Sequence, residues 1–260
     1  MNEIIVCGDS YGTGVGLPEE TCIENSFGGL VSKKLNSKLR VFARSGICNF
    51  GIYLQVKKVV EEYKDAVEKP TVLISLTNHS RILVTSRDLT NDEVDLSNMD
   101  YLNSKPYSKY SKVRRTPDFY LNKPLIFSQT VMDVCAHLEN RLSGASHESF
   151  SILPKYKLEA LKIYLSDLYS DPIKEEYDSG LVAKMHLMLK KYNIPHIIMC
   201  SPLEKFYYID ELNLLHVDWK KISDENPDVV GSSHCNEMGH EIVANSILNK
   251  MGYNVKKNLI

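Results

Sequence analysis

An α/β fold built on a parallel sheet follows from three observations. The run Ile4 to Cys7 is apolar, rich in β-branched residues and cut off by Gly8, too short for a helix and suited to a strand buried on both faces. Thr71 to Leu76, reading Thr-Val-Leu-Ile-Ser-Leu, is a second such run and the clearest in the chain. Segments with helical spacing lie between the apolar runs, and strand, helix, strand, helix, strand in that order calls for parallel pairing with right-handed crossovers.

The elements follow in sequence. Phe27, Leu30, Val31 and Leu35 recur at three and four, with Asn25 or Ser26 placed to cap the helix they imply. Leu39 to Ala43 reads as the second strand and runs into Arg44-Ser45-Gly46. Ile52, Val56, Val59, Val60 and Tyr63 mark a helix over residues 51–68, closed by Lys69-Pro70. Further helices are expected over 128–142, 154–169 and 172–192. Ile194 to Cys200 gives the fourth strand, Leu212 to Trp219 a short fifth, and Glu241 to Met251 the last helix. The sheet therefore has about five strands, and no internal repeat or low-complexity tract interrupts it.

At 260 residues, 43% hydrophobic and 25% charged, the chain has the composition of a single folded domain, 1–260. Lys+Arg 31 against Asp+Glu 33 gives a formal charge of -2, which carries no signature of a nucleic-acid or membrane-surface binder. The six cysteines (Cys7, Cys22, Cys48, Cys135, Cys200 and Cys235) form no CxxC pair, several sit in apolar runs, and this fits a reducing compartment. No basic-then-apolar leader opens the sequence and no apolar run approaches the ~20 residues that span a bilayer, so a cytoplasmic location is expected. No HExxH or Cys/His ligand spacing occurs, so a metal is not expected.

Residues 80–123 change character. They are polar, tyrosine-rich and poor in apolar periodicity, and are read as an insertion; within it Lys105 to Arg115 interleaves cations with Tyr107 and Tyr110 and contains no acid. Such a run is either a solvated loop or a grip for a sugar or an anionic polymer.

Three loops that leave strands carry Ser10, Gly46 and Asn78, and a late loop carries His234. In a parallel α/β sheet the loops at the carboxyl edge of the strands converge on one crevice. These residues suit acyl transfer: a serine hydroxyl attacks only when an imidazole takes its proton, and the resulting oxyanion needs preorganised donors. Those donors would be the N–H groups of Ser10 and Gly46 and the amide of Asn78.

The residues Gly8-Asp9-Ser10, Ser45-Gly46, Asn78, and His234 followed by Gly239-His240 resemble, in this order and over nearly the whole chain, the blocks of the SGNH (GDSL-like) hydrolase family. The resemblance implies a flavodoxin-like three-layer α/β/α sandwich and cofactor-free hydrolysis of an ester or other acyl bond. It also implies Ser10 as nucleophile, His234 as base, and Ser10, Gly46 and Asn78 as oxyanion hole. Members of this kind are found in bacteria and their phages. One departure stands out: the family places an aspartate three residues before the histidine, where this chain has Gly231. The orienting group is then the carbonyl of Gly231, or Asp228 or Asp224, in a Ser-His dyad or incomplete triad. The third block also lacks its glycine and aspartate, Asn78 being flanked by Leu76, Thr77 and His79.

Two functions are compatible with this pattern. One is a serine esterase or deacetylase, with an acetylated carbohydrate as the expected substrate. The alternative is a binding or structural protein on the same fold, its chemistry weakened and its tyrosine-rich insertion holding a partner. Among the other readings, Gly8-Asp9-Ser10-Tyr11-Gly12 spells the G-x-S-x-G elbow, but that elbow follows several strands and this one leaves the first. Asp9 is expected to bind nearby backbone N–H groups. His240 competes with His234 as base, at the expected start of the last helix. His79 is expected to line the pocket, and Trp219 to pack in the core.

Overall fold

The computed structural model describes residues 3–18, 20–43, 47–79, 81–85, 126–130, 159–160, 163–201, 213–228 and 234–253. Five strands form one sheet: β1 (Glu3–Gly8), β2 (Lys38–Val41), β3 (Thr71–Ser75), β6 (His196–Cys200) and β7 (Leu214–His216). They are parallel throughout, in the order β2-β1-β3-β6-β7. This is the doubly wound order in which the chain turns back after its first two strands, so β1 and β3 lie side by side and their ends open onto the switch point.

The alternation of side chains along the strands divides the core. Ile5, Cys7, Val72, Ile74, Ile198 and Cys200 face one way, toward α3 (Asn49–Tyr63) and α4 (Asp171–Lys191), where Ile52, Val56, Val59, Val182, Met185 and Leu189 cover them. Ile4, Val6, Leu73, Ile197 and Met199 face the other way, against Phe27 and Val31 of α2 (Phe27–Lys34) and Val243, Ala244, Ile247 and Leu248 of α6 (Glu237–Lys250). Both faces of the sheet are therefore apolar, which is why its strands read as continuous hydrophobic runs and not as alternating ones. The expected three-layer α/β/α sandwich is present.

Ser26 caps α2 as expected, its Oγ accepting from the Gly29 N–H at 3.3 Å, after a short helix α1 (Cys22–Asn25). Three expectations are corrected. Residues 126–130 do not open a helix: Ile126–Thr130 is strand β5, paired antiparallel with β4 (Arg81–Thr85) in a separate two-stranded ribbon. Ile126, Phe127 and Thr130 favour that conformation, and partner β4 decides it. The fifth strand stops at His216, because Asp218 accepts from the Lys221 N–H at 3.0 Å and starts α5 (Trp219–Glu225). The last helix begins at Glu237, four residues earlier than expected, because Asn236 Oδ1 accepts from the N–H groups of Met238 and Gly239. The π-helical turn Tyr164–Leu168 falls where a helix was expected. The insertion lies almost entirely outside the described residues, which include only its margin at β4.

Candidate active site

Gly8 ends β1 so close to β3 that a Cβ there would stand 2.8 Å from both Cβ and O of Ser75. The chain then turns, and the Ser10 carbonyl is fixed by three donors: the Thr13 N–H at 3.3 Å, the Thr13 hydroxyl at 2.9 Å and the Val15 N–H at 3.1 Å. Ser10 is buried, with 3% of its surface exposed. Its Oγ lies 2.7 Å from Nε2 of His234, 224 residues away in the chain. A hydroxyl in that position can hand its proton to the imidazole, which is the geometry a serine nucleophile requires.

His234 is held by a short antiparallel clamp. The Asp228 N–H donates to the His234 carbonyl at 3.1 Å, Pro227 and Cys235 form a β-bridge, and the Asn236 N–H donates to Asn226 at 2.9 Å. Gly16, at φ +97, lets the loop after Ser10 press on this clamp: a Cβ there would lie 3.0 Å from Cβ of His234 and 3.2 Å from Cβ of Asp228. Of the orienting groups named from the sequence, Asp228 is buried beside His234, Asp224 is exposed on α5, and Gly231 lies outside the described residues. Gly46 also lies outside them. Asn78 follows the end of β3 with its side chain exposed, and its carbonyl accepts from the Arg81 N–H at 3.2 Å.

Asp9 is structural in its contacts. Its Oδ1 accepts from the Tyr11 N–H at 3.2 Å. Burial raises its pKa above the usual carboxylate range, opposed by the Arg81 guanidinium, the Tyr11 N–H, the Thr77 hydroxyl and His234. His240 is not placed to be the base. It sits inside α6, fully buried, and its Nδ1 accepts from the Phe27 N–H at 3.2 Å. Burial, helped by the nearby His234, pulls its pKa down to about 4, so the ring is neutral and committed to the core. The neighbouring Cys235 is no rival nucleophile, because burial pushes its thiol up to about 12. His79 stands on the loop after Asn78, with Nε2 3.4 Å from Oε1 of Glu175.

Three site residues escaped the sequence reading. Tyr11 stacks on Trp219 with ring centroids 4.1 Å apart and tilts against the His234 ring at 4.8 Å, while its hydroxyl meets Ser223 Oγ at 3.3 Å. Gln55 grips the end of β1: its Oε1 accepts from the Gly8 N–H at 2.6 Å and its Nε2 donates to the Gly8 carbonyl at 3.2 Å. Asn49 does the same at the end of β3, its Oδ1 accepting from the Thr77 N–H and its Nδ2 donating to the Thr77 carbonyl, both at 3.0 Å. The signal for Gln55 was present: it stands among Ile52, Val56 and Val59, a polar residue in the core register of a helix.

Among the described residues no group of three His, Cys, Asp or Glu is placed to hold a metal, and no helix is long and apolar enough to cross a membrane. Neither a protein-family model nor a curated protein matches the sequence. Solved structures similar to this chain include the psychrotrophic esterase EstA from Pseudoalteromonas sp., 12% identical with TM-score 0.44 over 97% of each chain. Another is a carbohydrate esterase with divergent catalytic and non-catalytic binding functions at its active site, 12% identical, TM-score 0.45, covering 99% of this chain and 66% of that one. A third is the acetyl xylan esterase Est2A from Butyrivibrio proteoclasticus, 10% identical, TM-score 0.45, covering 97% and 65%. This chain thus spans about two thirds of the length of the latter two. In its own architecture, the chain has the α/β/α sandwich, with parallel strand order β2-β1-β3-β6-β7, that its resemblance to the SGNH hydrolases implied.

Proposed function

We propose that this protein is a serine esterase of the SGNH type. The observation that supports it best is the 2.7 Å contact between Ser10 Oγ and His234 Nε2 at the carboxyl end of β1. In this reading Ser10 Oγ attacks the acyl carbonyl carbon as its proton passes to His234 Nε2. The oxyanion is met by the N–H groups of Ser10 and Gly46 and the side-chain amide of Asn78. Collapse of the tetrahedral intermediate expels the alcohol, which takes the proton from His234. Water, activated by the same imidazole, then releases the acid and restores Ser10.

Asp228 takes the orienting role of the carboxylate that position 231 lacks. It is buried, one ladder bond from His234, and it shares the Gly16 surface with that residue. The alcohol part of the ester is proposed to be a carbohydrate on the strength of the tyrosine-rich sequence alone. A second reading, a binding protein with weakened chemistry, draws on Gly231 standing where the family has its aspartate.

Incubation with a fluorophosphonate probe and with p-nitrophenyl acetate separates the two. The esterase reading expects stoichiometric labelling of Ser10 and turnover that Ser10→Ala abolishes. Absence of labelling, or turnover unchanged in Ser10→Ala, rejects it in favour of the binding protein. Release of acetate from an acetylated xylan in preference to p-nitrophenyl butyrate would support the carbohydrate assignment.

A further inference from the structure

The loop that carries Asn78 is anchored on both sides of it by groups that the proposed chemistry does not use. Before it, Thr77 is buried, and both of its backbone polar groups are taken by the single side chain of Asn49. After it, His79 reaches Glu175 of α4. Asn78 itself is exposed between these two anchors.

Asn49 is the first residue of α3, yet its side chain does not serve the helix terminus. It is 3% exposed, and its second amide proton goes to Oδ2 of Asp178 at 2.8 Å. The amide orientation is fixed by chemistry, because the nitrogen faces a carbonyl and a carboxylate and the oxygen faces an N–H. Asp178 is buried in turn and held by Lys174 Nζ at 2.6 Å. A chain of satisfied polar groups therefore runs from the half-buried Lys174 through the buried Asp178 and Asn49 to the backbone of Thr77. Such networks are rigid, since each member loses its partner and keeps its desolvation cost if another moves.

From this geometry we infer that Asn49 is a positioning residue for oxyanion stabilisation: with Asp178 behind it, it sets the backbone of Thr77 so that the neighbouring Asn78 amide is aimed before substrate arrives. The inference rests on the esterase reading and adds to it a residue that touches neither substrate nor Ser10. Preorganisation is where its effect lies, because a donor that must first be ordered loses much of its worth at the transition state.

A double-mutant cycle on kcat for p-nitrophenyl acetate tests it, with kcat expressed per serine titrated to completion by fluorophosphonate so that misfolded molecules do not count. Asn78→Ala is expected to cost roughly 100 to 1,000-fold, as for loss of one oxyanion donor. Asn49→Ala is expected to cost roughly 10 to 100-fold in kcat with KM unchanged, the mark of an interaction made in the transition state only. In the Asn78→Ala background it should cost less than about twofold, because its route to the reaction is gone. Should Asn49→Ala not fold, Asn49→Ser, whose hydroxyl can meet one but not both Thr77 groups, takes its place in the cycle. An equal loss in both backgrounds, or a loss in KM alone, overturns the inference and leaves the esterase reading standing. Full kcat in Asn78→Ala removes the oxyanion role of Asn78, and the inference falls with it; absence of Ser10 labelling removes the esterase reading itself.

Discussion

The ring of Tyr11 lies flat on the indole of Trp219, centroids 4.1 Å apart and planes 16° apart, and its other neighbour is the imidazole of His234. The residue after Ser10 and the first residue of α5 thereby form a wall for the proposed base. Tyr11→Leu is expected to lower kcat roughly tenfold and stability by about 2 kcal/mol, since an aromatic pair is worth about 1 kcal/mol beyond its buried area. Tyr11→Phe keeps the stack and gives up the hydroxyl's contact with Ser223, so its kcat should stay within about threefold of wild type. Ester turnover and thermal melts of the two variants check this, and equal losses in both would place the effect in the hydroxyl.

Asp228 and Asp224 separate by burial. Asp228→Ala is expected to reduce kcat by roughly 100 to 10,000-fold, the range seen when an imidazole loses its orienting carboxylate. Asp224→Ala, on the exposed face of α5, should leave turnover unchanged within about twofold. Ester kinetics on the purified variants decide; a silent Asp228→Ala would leave the carbonyl of Gly231 as the orienting group.

Gly16 joins the serine loop to the histidine clamp. Its φ of +97 and the approach of Cys235 O to 2.9 Å from a Cβ at this position leave no room for alanine. Gly16→Ala should cost about 1 to 3 kcal/mol of stability through strain. It should also cut turnover by more than the loss of folded protein accounts for, because the intruding methyl meets Cβ of His234 at 3.0 Å. Turnover and melting measured on one preparation test this.

His240 predicts a pH dependence. Its folded pKa is lowered to about 4, so between pH 6.5 and 4 the unfolded chain binds a proton that the folded protein refuses, and stability falls as pH falls through that window. The contribution is up to about 3 kcal/mol between the two ends. Burial lowers the pKa of His196 in the same direction, so the wild-type slope is a sum. His240→Asn, which retains an acceptor for the Phe27 N–H, should therefore show a shallower loss of denaturation free energy from pH 6.5 to 4. An unchanged slope would refute the assignment.

The reach of the sequence can be judged residue by residue. Ile4 to Cys7 and Thr71 to Leu76 announce buried parallel strands because both of their faces need apolar side chains, and such runs are visible without a partner. Ser10 and Asn78 stand out because glycine or a strand end sets them off. Strand β5 was less visible, since a helix was expected to begin at Ser128 within Ile126-Phe127-Ser128-Gln129-Thr130, and its pairing with Arg81–Thr85 arbitrates. The start of α6 was hidden in the same way: Gly239 looks like a break until Asn236 is seen capping the turn before it.

What the sequence determined by itself is a parallel α/β sheet and the chain order of Ser10, Gly46, Asn78 and His234, because hydrophobic periodicity and strand-end punctuation are local properties of the chain. What only the tertiary structure decided is the distance between groups far apart in that chain. It brought Ser10 to 2.7 Å from His234, turned His240 into the core, buried Asp228 while leaving Asp224 exposed, and led two carboxamides of α3 to the ends of β1 and β3. Hydrogen-bond partners 28, 47 and 224 residues apart leave no periodic trace, since a buried polar side chain is specified by what packs against it and not by its neighbours in sequence.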